Sequence, residues 1–256
     1  MKSGKIFVIV LMVMVFLLGL ATFLYPHIRK TIVDATLRND AQEFIDRVTV
    51  ELWKSEEPSA EEEANPTEPV HKELLQALQD YNLEIWNNKQ AGLCDPWSYQ
   101  QPSFTLGDYG LESEVFGAIS IPKLDLELPL YLGATYQHLA DGAALLSQTS
   151  IPIGGNNTNC VIAGHRGWYG ASYFRYITDL DVGDEVTITN LWDSMTYAVT
   201  DTKIIQPNEV EKVLIQPGKE LITLLTCHPY ASGGKQRYLV ICERINDEPN
   251  SEIDHS

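Results

Sequence analysis

A long apolar run lies near the start of the chain. Residues 6–25 are uninterrupted apolar positions, of the length that crossing a bilayer requires. Lys2 and Lys5 precede this run, and the residues after it lack the small side chains of a signal-peptidase site. We predict an uncleaved membrane anchor over residues 1–25 with the bulk of the chain outside the cell. Cleavage would instead give a secreted protein.

Two helical patterns separated by an acidic stretch follow the apolar run. Residues 31–54 and residues 70–87 each repeat apolar side chains at helical spacing. The apolar positions of the first pattern are Ile32, Ala35, Phe44, Ile45, Val48 and Leu52. Between the two, residues 55–69 contain six glutamates and three prolines but no basic residue. This composition favours a solvated linker over a calcium site, so residues 26–90 are predicted to be a helical and acidic linker region.

From residue 116 onward, short apolar runs separated by turn residues replace the helical spacing. They predict strands over residues 117–121, 126–132, 143–148, 160–163, 185–190, 195–205, 221–227 and 237–245. Residues 136–140 and 172–180 are predicted to be short helical connections. The pattern predicts a mostly β domain, and it fits a closed barrel and a sandwich equally well.

Charge and cysteine spacing narrow the classes of function. The 256-residue chain has a formal net charge of −17, which argues against a nucleic-acid-binding surface. The four cysteines are widely spaced and form no CxxC pair, so the sequence indicates neither a disulfide framework nor a metal site. We therefore expect no cofactor and no metal. Cys160 and Cys242 lie in apolar runs and are predicted to be core residues.

Three residues that carry chemistry stand at the ends of predicted strands. Cys227 ends the run in TLLTCHPY, His165 follows the run in NCVIAGHRGWYG, and Arg237 begins QRYLVICERI. Alternation along the strand sends Cys227 and His228 to opposite faces, which makes His165 the better candidate base. A thiol, an imidazole and a guanidinium form a nucleophile, an acid/base and an oxyanion partner. The pattern alone also allows a structural role for each.

The motifs around these residues resemble those of sortases, the cysteine transpeptidases of the Gram-positive cell surface. TLLTC matches the TLxTC signature, AGHRG resembles the segment with the catalytic histidine, and QRYLV resembles the segment with the arginine. FGAISIPKLDLELPLYLGA resembles the opening strands. The resemblance implies an eight-stranded sortase barrel over residues 111–246, followed by a polar tail at 247–256. It also implies that Cys227, His165 and Arg237 are catalytic.

A short motif before the barrel resembles the lid of class C, pilus-type sortases. Within the predicted lid loop, residues 91–110, CDPW implies that Asp95 pairs with Arg237 and that Trp97 covers Cys227. A regulatory disulfide between Cys94 and Cys227 is a minor alternative. Two features differ from the class C pattern: a histidine follows the cysteine, and the chain ends in polar residues where that class often has a second membrane segment.

The reaction implied by the resemblance is cleavage of an LPxTG-type sorting signal after its threonine, followed by transfer to an amine. The acceptor is a pilin lysine in a pilus-type enzyme and a peptidoglycan cross-bridge amine in an anchoring enzyme. We expect Thr226 to contact the substrate. A cell-wall cysteine peptidase and a non-catalytic surface-binding domain are the alternatives. The arginine, and a histidine that precedes the cysteine in the chain, favour the sortase.

Overall fold

Three α-helices and eight strands form the part of the chain that the computed structural model describes, residues 2–56, 69–93, 103–167 and 171–245. The helices are α1 (Lys2–Glu56), α2 (Lys72–Asn87) and α3 (Tyr136–Asp141). The strands are β1 (Val115–Ile121), β2 (Leu126–Leu132), β3 (Ala143–Leu145), β4 (Thr158–Ala163), β5 (Glu185–Thr189), β6 (Ser194–Ile205), β7 (Glu220–His228) and β8 (Gln236–Arg244). Short 3₁₀ segments span Leu106–Tyr109, Pro122–Leu124, Tyr173–Asp179 and Val210–Val213.

The eight strands close into a barrel in the order β1-β2-β3-β4-β7-β8-β6-β5. The pairs β2–β3 and β4–β7 are parallel, and the other neighbours are antiparallel. The closing pair joins β1 to β5. The predicted eight-stranded barrel is confirmed, and the sandwich alternative is wrong.

Strands β4 and β7 lie side by side and are covered on both faces. Their inward side chains, such as Ile162 and Leu224, belong to the main core of the barrel. Their outward side chains, such as Ala163 and Leu225, pack in a second apolar cluster together with Val213. Strands buried on both faces carry nearly continuous apolar sequence, which explains the unbroken runs before the candidate histidine and cysteine.

The two predicted core cysteines are buried, as expected. Cys160 on β4 is 2% exposed, and Cys242 on β8 is fully buried. Both are free thiols that pack in the main core. Burial raises the pKa of Cys160 well above its usual value and that of Cys242 to about 12, so both stay protonated and unreactive.

Helix α1 joins the predicted anchor to the next predicted helix without interruption. Its N-terminal part is exposed and apolar, and the helix is long and apolar enough to cross a membrane. Its later turns pack on β1 and β2. The buried stripe consists of Leu37, Ala41, Phe44 and Val48, spaced by four, three and four residues. Ile32 and Ala35, two of the apolar positions at helical spacing, are exposed, because the barrel meets the helix through Leu37 and Ala41.

Helix α2 is fixed to the barrel by apolar contacts and by one buried amide. Leu74 and Leu78 belong to the main core. The Asn82 side chain donates to the Ile151 carbonyl at 2.9 Å and accepts from the Ile151 N–H at 2.8 Å. This pair satisfies the buried amide on both sides and sets the position of α2 on the barrel.

The segments on both sides of the predicted lid motif are also attached to the domain. The Gln90 side chain accepts from the Ile215 N–H at 2.6 Å. Tyr81 lies 3.2 Å from the Ser103 hydroxyl and packs edge-on against Phe104 at 5.2 Å between ring centroids. Cys94, Asp95 and Trp97 fall in residues 94–102, outside the described residues.

Candidate active site

Cys227 and Arg237 stand directly opposite each other on β7 and β8. The antiparallel register pairs the two residues, after Leu225 with Leu239 and Thr226 with Tyr238. Opposite residues of an antiparallel pair project from the same face of the sheet, with their Cβ atoms about 5 Å apart. The sheet register itself therefore brings the thiol and the guanidinium together.

His165 is carried to the same end of the barrel by the parallel strand β4. The register pairs Ala163 with Leu225, and the Gly164 N–H donates to the Leu225 carbonyl at 3.0 Å. His165 lies two residues beyond Ala163, and Cys227 lies two residues beyond Leu225. Because side chains alternate, both continue the outward face of their strands.

Gly164 and Thr226 join the ends of these two strands. The buried Thr226 hydroxyl donates to the Gly164 carbonyl at 2.8 Å. A Cβ on Gly164 would lie 2.7 Å from the ring of Phe174, so only glycine fits at this position. The Thr226 side chain thus contacts the backbone that carries His165. Its expected contact with substrate stays a prediction.

The segment that follows in the β4–β5 connection encloses His165. The Phe174 N–H donates to the His165 carbonyl at 2.9 Å, and the Tyr173 ring packs edge-on against the imidazole at 6.0 Å between centroids. His165 is 8% exposed. Burial lowers the pKa of the imidazole, which favours its neutral form.

Arg166 is a second basic residue at the site, and it is not among the site residues predicted from the sequence. One guanidinium nitrogen lies 2.7 Å from Nδ1 of His228 and donates to the Cys227 carbonyl at 3.3 Å. The other donates to the Thr178 hydroxyl at 3.4 Å. The motifs AGHRG and TCHPY indicate this contact, because residues at the same end of two adjacent parallel strands are neighbours in space.

Two opposing influences act on the thiol of the half-buried Cys227. Burial raises its pKa, whereas the positive charges of Arg237 and Arg166 act to lower it. Burial and the nearby Arg166 lower the pKa of His228. The resting site therefore favours a neutral thiol beside a neutral imidazole, with two guanidinium groups positioned to stabilise negative charge.

Arg237 is buried, and carbonyl groups beside the start of β8 bind its guanidinium. It is 2% exposed and donates to the carbonyls of Gly234 and Gln236, the latter at 3.0 Å. These bonds orient the fork beside the thiol. The predicted pairing with Asp95 stays a prediction, since Asp95 is outside the described residues. Among the residues described, no group of three His, Cys, Asp or Glu side chains could hold a metal ion.

Comparison with known proteins identifies the family. Residues 119–245 match the model of the sortase domain. Sortase A of Bacillus anthracis is 30% identical over 175 residues, which cover 68% of this chain and 80% of that protein. The chain belongs to the sortase family. Sortases are cysteine transpeptidases, and all three candidate catalytic residues lie within the matched region.

Other sortases share both sequence and barrel with this one. Sortase D of Bacillus subtilis (strain 168) is 28% identical over 131 residues, which cover 50% of this chain and 63% of that relative. This sortase therefore spans slightly less than two thirds of that relative's length. The crystal structure of Streptococcus pneumoniae sortase C superposes with a TM-score of 0.65 at 30% identity, covering 81% of this chain and 97% of that one. Class C, pilus-type sortases are thus among its structural neighbours.

Proposed function

We propose that this sortase is a membrane-anchored transpeptidase that cleaves an LPxTG-type sorting signal after threonine and transfers it to an amine. Cys227 is the nucleophile, His165 the general acid and base, and Arg237 the oxyanion partner. The observation that supports this most is the register of β7 and β8, in which Cys227 faces Arg237 beside the end of β4. A buried structural cysteine would not require a buried guanidinium opposite it.

The first half-reaction forms a thioester. The Cys227 sulfur attacks the threonine carbonyl carbon as the thiol proton passes to His165, and the carbonyl oxygen becomes an oxyanion beside Arg237. When the tetrahedral intermediate collapses, the peptide C–N bond breaks and His165 returns the proton to the leaving glycine amine. The neutral resting pair supports this order, because burial disfavours both the thiolate and the imidazolium before substrate binds.

The second half-reaction resolves the thioester with an incoming amine. The amine nitrogen attacks the thioester carbon and His165 accepts its proton. The C–S bond then breaks, and His165 passes that proton to the departing sulfur to restore the thiol. Arg237 stabilises the second oxyanion at the same position as the first. A guanidinium held by the carbonyls of Gly234 and Gln236 needs no rearrangement between the two steps.

The acceptor that we propose is a lysine of a pilin subunit. The similarity to Streptococcus pneumoniae sortase C, a protein studied for its pilin substrate specificity, supports this choice. Attachment of surface proteins to a peptidoglycan cross-bridge amine is the second candidate. The identity with Sortase A of Bacillus anthracis favours it. Both candidates use the same thioester and differ in the amine that resolves it.

We further propose that the protein lies at the cell surface. The exposed apolar part of α1 is long enough to cross a membrane, which supports an anchor with the barrel outside the cell, where sorting signals and acceptor amines are found. Because residues Leu37 to Val48 of the same helix pack into the barrel core, the catalytic domain stays close to the membrane. Its partners are the surface or pilin proteins, the acceptor amine and the membrane.

An assay of the full chain in detergent tests the proposed reaction. The protein is incubated with an LPxTG peptide, with and without hydroxylamine, and the products are identified by mass spectrometry. We expect cleavage between threonine and glycine and capture of hydroxylamine at the threonine carbonyl. Cys227→Ala should abolish both products, whereas Cys242→Ala, which removes a buried thiol on β8, should retain them. Turnover by Cys227→Ala would refute the proposal.

The lid gives a prediction for the resting enzyme. If Asp95 pairs with Arg237 and Trp97 covers the thiol, Asp95→Ala will raise the rate at which an alkylating probe modifies Cys227 by about tenfold, the size expected for loss of a charge-assisted contact. Asp108→Ala removes an exposed carboxylate of the same predicted loop, beyond the CDPW motif, and serves as the control. An unchanged alkylation rate in Asp95→Ala would exclude the pairing of Asp95 with Arg237.

A further inference from the structure

The backbone beside His165 adopts a conformation that needs support. Tyr173 has a φ of 40°, in the left-handed region that bulky side chains rarely adopt. It is nevertheless 3% exposed, and its hydroxyl donates to the Ala140 carbonyl at 2.6 Å. Such residues persist where surrounding contacts hold them, and they concentrate at functional sites. Tyr173 is the residue whose ring packs against His165.

The contact on the N-terminal side of Tyr173 comes from the anchoring helix. One carboxylate oxygen of Asp34 accepts from the Ser172 N–H at 2.8 Å, and the other accepts from the Ser172 hydroxyl at 3.0 Å. Lys30, one turn earlier on α1, lies 3.4 Å from the same carboxylate. A carboxylate that accepts two bonds from one residue fixes both the backbone and the side chain of that residue.

The contact on the C-terminal side of Tyr173 leads to the histidine. Phe174 donates its N–H to the His165 carbonyl, and its ring fills the space beside Gly164. Three consecutive residues, Ser172 to Phe174, therefore connect Asp34 on α1 to the backbone and ring of His165. The helix that carries the membrane span contributes directly to the wall of the active site.

We infer that Asp34 is a positioning residue that holds His165 in its catalytic geometry through Ser172, Tyr173 and Phe174. Asp34 does not touch the reacting atoms. It fixes the segment whose tyrosine ring covers the imidazole and whose amide binds the His165 carbonyl. The inference rests on the proposed role of His165. It also means that the barrel without α1 lacks one wall of its own active site.

The neighbouring charged residue on α1, Arg38, binds a different part of the barrel from Asp34. Arg38, one turn later on α1, donates to the Asp125 carbonyl and pairs with the Asp125 carboxylate at 2.8 Å. These contacts fix α1 to the start of β2 and leave Asp34 as the α1 carboxylate that bonds Ser172. Asp46 lies three turns further along α1 and is exposed, so it provides a matched control on the same helix.

The test uses the full chain in detergent and four variants, Asp34→Ala, Asp34→Asn, Ser172→Ala and Asp46→Ala. Transpeptidation of an LPxTG peptide gives kcat and KM, and NMR of the imidazole protons gives the titration midpoint of His165. For Asp34→Ala we expect kcat to fall about tenfold with KM within about twofold, the signature of lost geometry. The His165 midpoint should rise, because an imidazole that loses its apolar cover is less disfavoured as a cation.

The other variants separate positioning from loss of folding. Asn keeps an acceptor oxygen for the Ser172 N–H, so Asp34→Asn should recover most of kcat and of the midpoint, and Asp46→Ala should match wild type. If Asp34→Ala does not fold, Ser172→Ala decides, with smaller shifts in the same directions because it loses one of the two bonds to Asp34. Wild-type kcat and an unshifted His165 midpoint in folded Asp34→Ala, or in Ser172→Ala where Asp34→Ala does not fold, would overturn the inference. An active Cys227→Ala would refute the proposed function instead, and the NMR readout does not depend on turnover.

Discussion

The two sides of the proposed site are held in place by different kinds of structure. On one side, Cys227 and Arg237 are paired residues of two adjacent strands, so the ladder of β7 and β8 sets their separation. On the other side, His165 lies just beyond the end of β4, where contacts from Tyr173 and Phe174 hold it. Cys227 is placed by regular structure, whereas His165 is placed by one ring contact and one backbone hydrogen bond from a connecting segment.

This difference has consequences for how each side responds to change. A closed sheet is stabilised along its whole length, so a single substitution on β7 or β8 leaves the register intact. The segment beside His165 depends on a few bonds, among them one to Asp34, 138 residues earlier in the chain. We therefore expect substitutions on the sheet side to change chemistry, and substitutions on the histidine side to change geometry.

The largest effect is expected from Arg237→Lys on the sheet side. A lysine keeps the positive charge but cannot reproduce the guanidinium fork, so kcat should fall about 10²- to 10³-fold, as for loss of an oxyanion donor. Steady-state kinetics with an LPxTG peptide measure this. Arg244→Lys at the far end of β8 is the matched control and should retain activity. Near-normal kcat in Arg237→Lys would show that Arg237 is structural.

A smaller effect is expected where the two sides meet, at Thr226. Thr226→Val removes the bond to the Gly164 carbonyl and should lower kcat about tenfold with little change in KM. Thr223→Val is a matched control on the same strand, since Thr223 is equally buried and its hydroxyl donates to Asn159 at 2.9 Å. Both variants should lose about 1–2 kcal/mol of stability in denaturant unfolding, because each loses one buried hydrogen bond.

The Thr226 result also tests the expected substrate contact. A rise in KM with unchanged kcat in Thr226→Val would favour direct contact of Thr226 with the sorting signal over a role in joining the ends of β4 and β7. An equal loss of kcat in Thr223→Val would show that activity follows general stability and would break the distinction between the two sides.

The smallest effect is expected from Arg166→Ala. Burial raises the pKa of the Cys227 thiol and the Arg166 charge acts to lower it, so removing that charge should raise the pKa further. The pH at which Cys227 is half-maximally alkylated should then move upward, measured by peptide mapping across a pH series. Lys212→Ala, an equal charge change at an exposed site, should leave the midpoint unchanged. A downward shift would contradict the electrostatic role of Arg166.

The side of the site formed by Cys227 and Arg237 on β7 and β8 could be predicted from sequence, because the pattern that shows where a strand ends is local. Alternation along two apolar runs placed Cys227 and Arg237 at strand ends, and the structure has β7 and β8 extending one residue beyond the predicted starts. Local pattern also predicts the buried Cys160 and Cys242 and both short helical connections, whereas the closed barrel is predicted only by the resemblance to sortases, since the strand pattern fits a sandwich equally well.

The histidine side could not be predicted in the same way because its contacts are distant in sequence. Nothing in the acidic positions of α1 distinguishes Asp34 from Asp46 until the barrel determines which of them meets Ser172. The helical spacing of α1 also includes Ile32 and Ala35, which are exposed, since such spacing gives a period but not the face that a partner covers. The contact of Arg166 with His228 required the parallel pairing of β4 and β7.

The central claim is that Cys227 forms the acyl-enzyme with the sorting signal. The most direct test adds an LPxTG peptide without any acceptor amine, quenches with acid, and locates the adduct by intact-protein mass and peptide mapping. We predict an added mass equal to the LPxT acyl group, on the peptide that contains TLLTCHPY, and released by hydroxylamine. Cleaved peptide product without an adduct on Cys227, or with the adduct on another residue, would contradict the account.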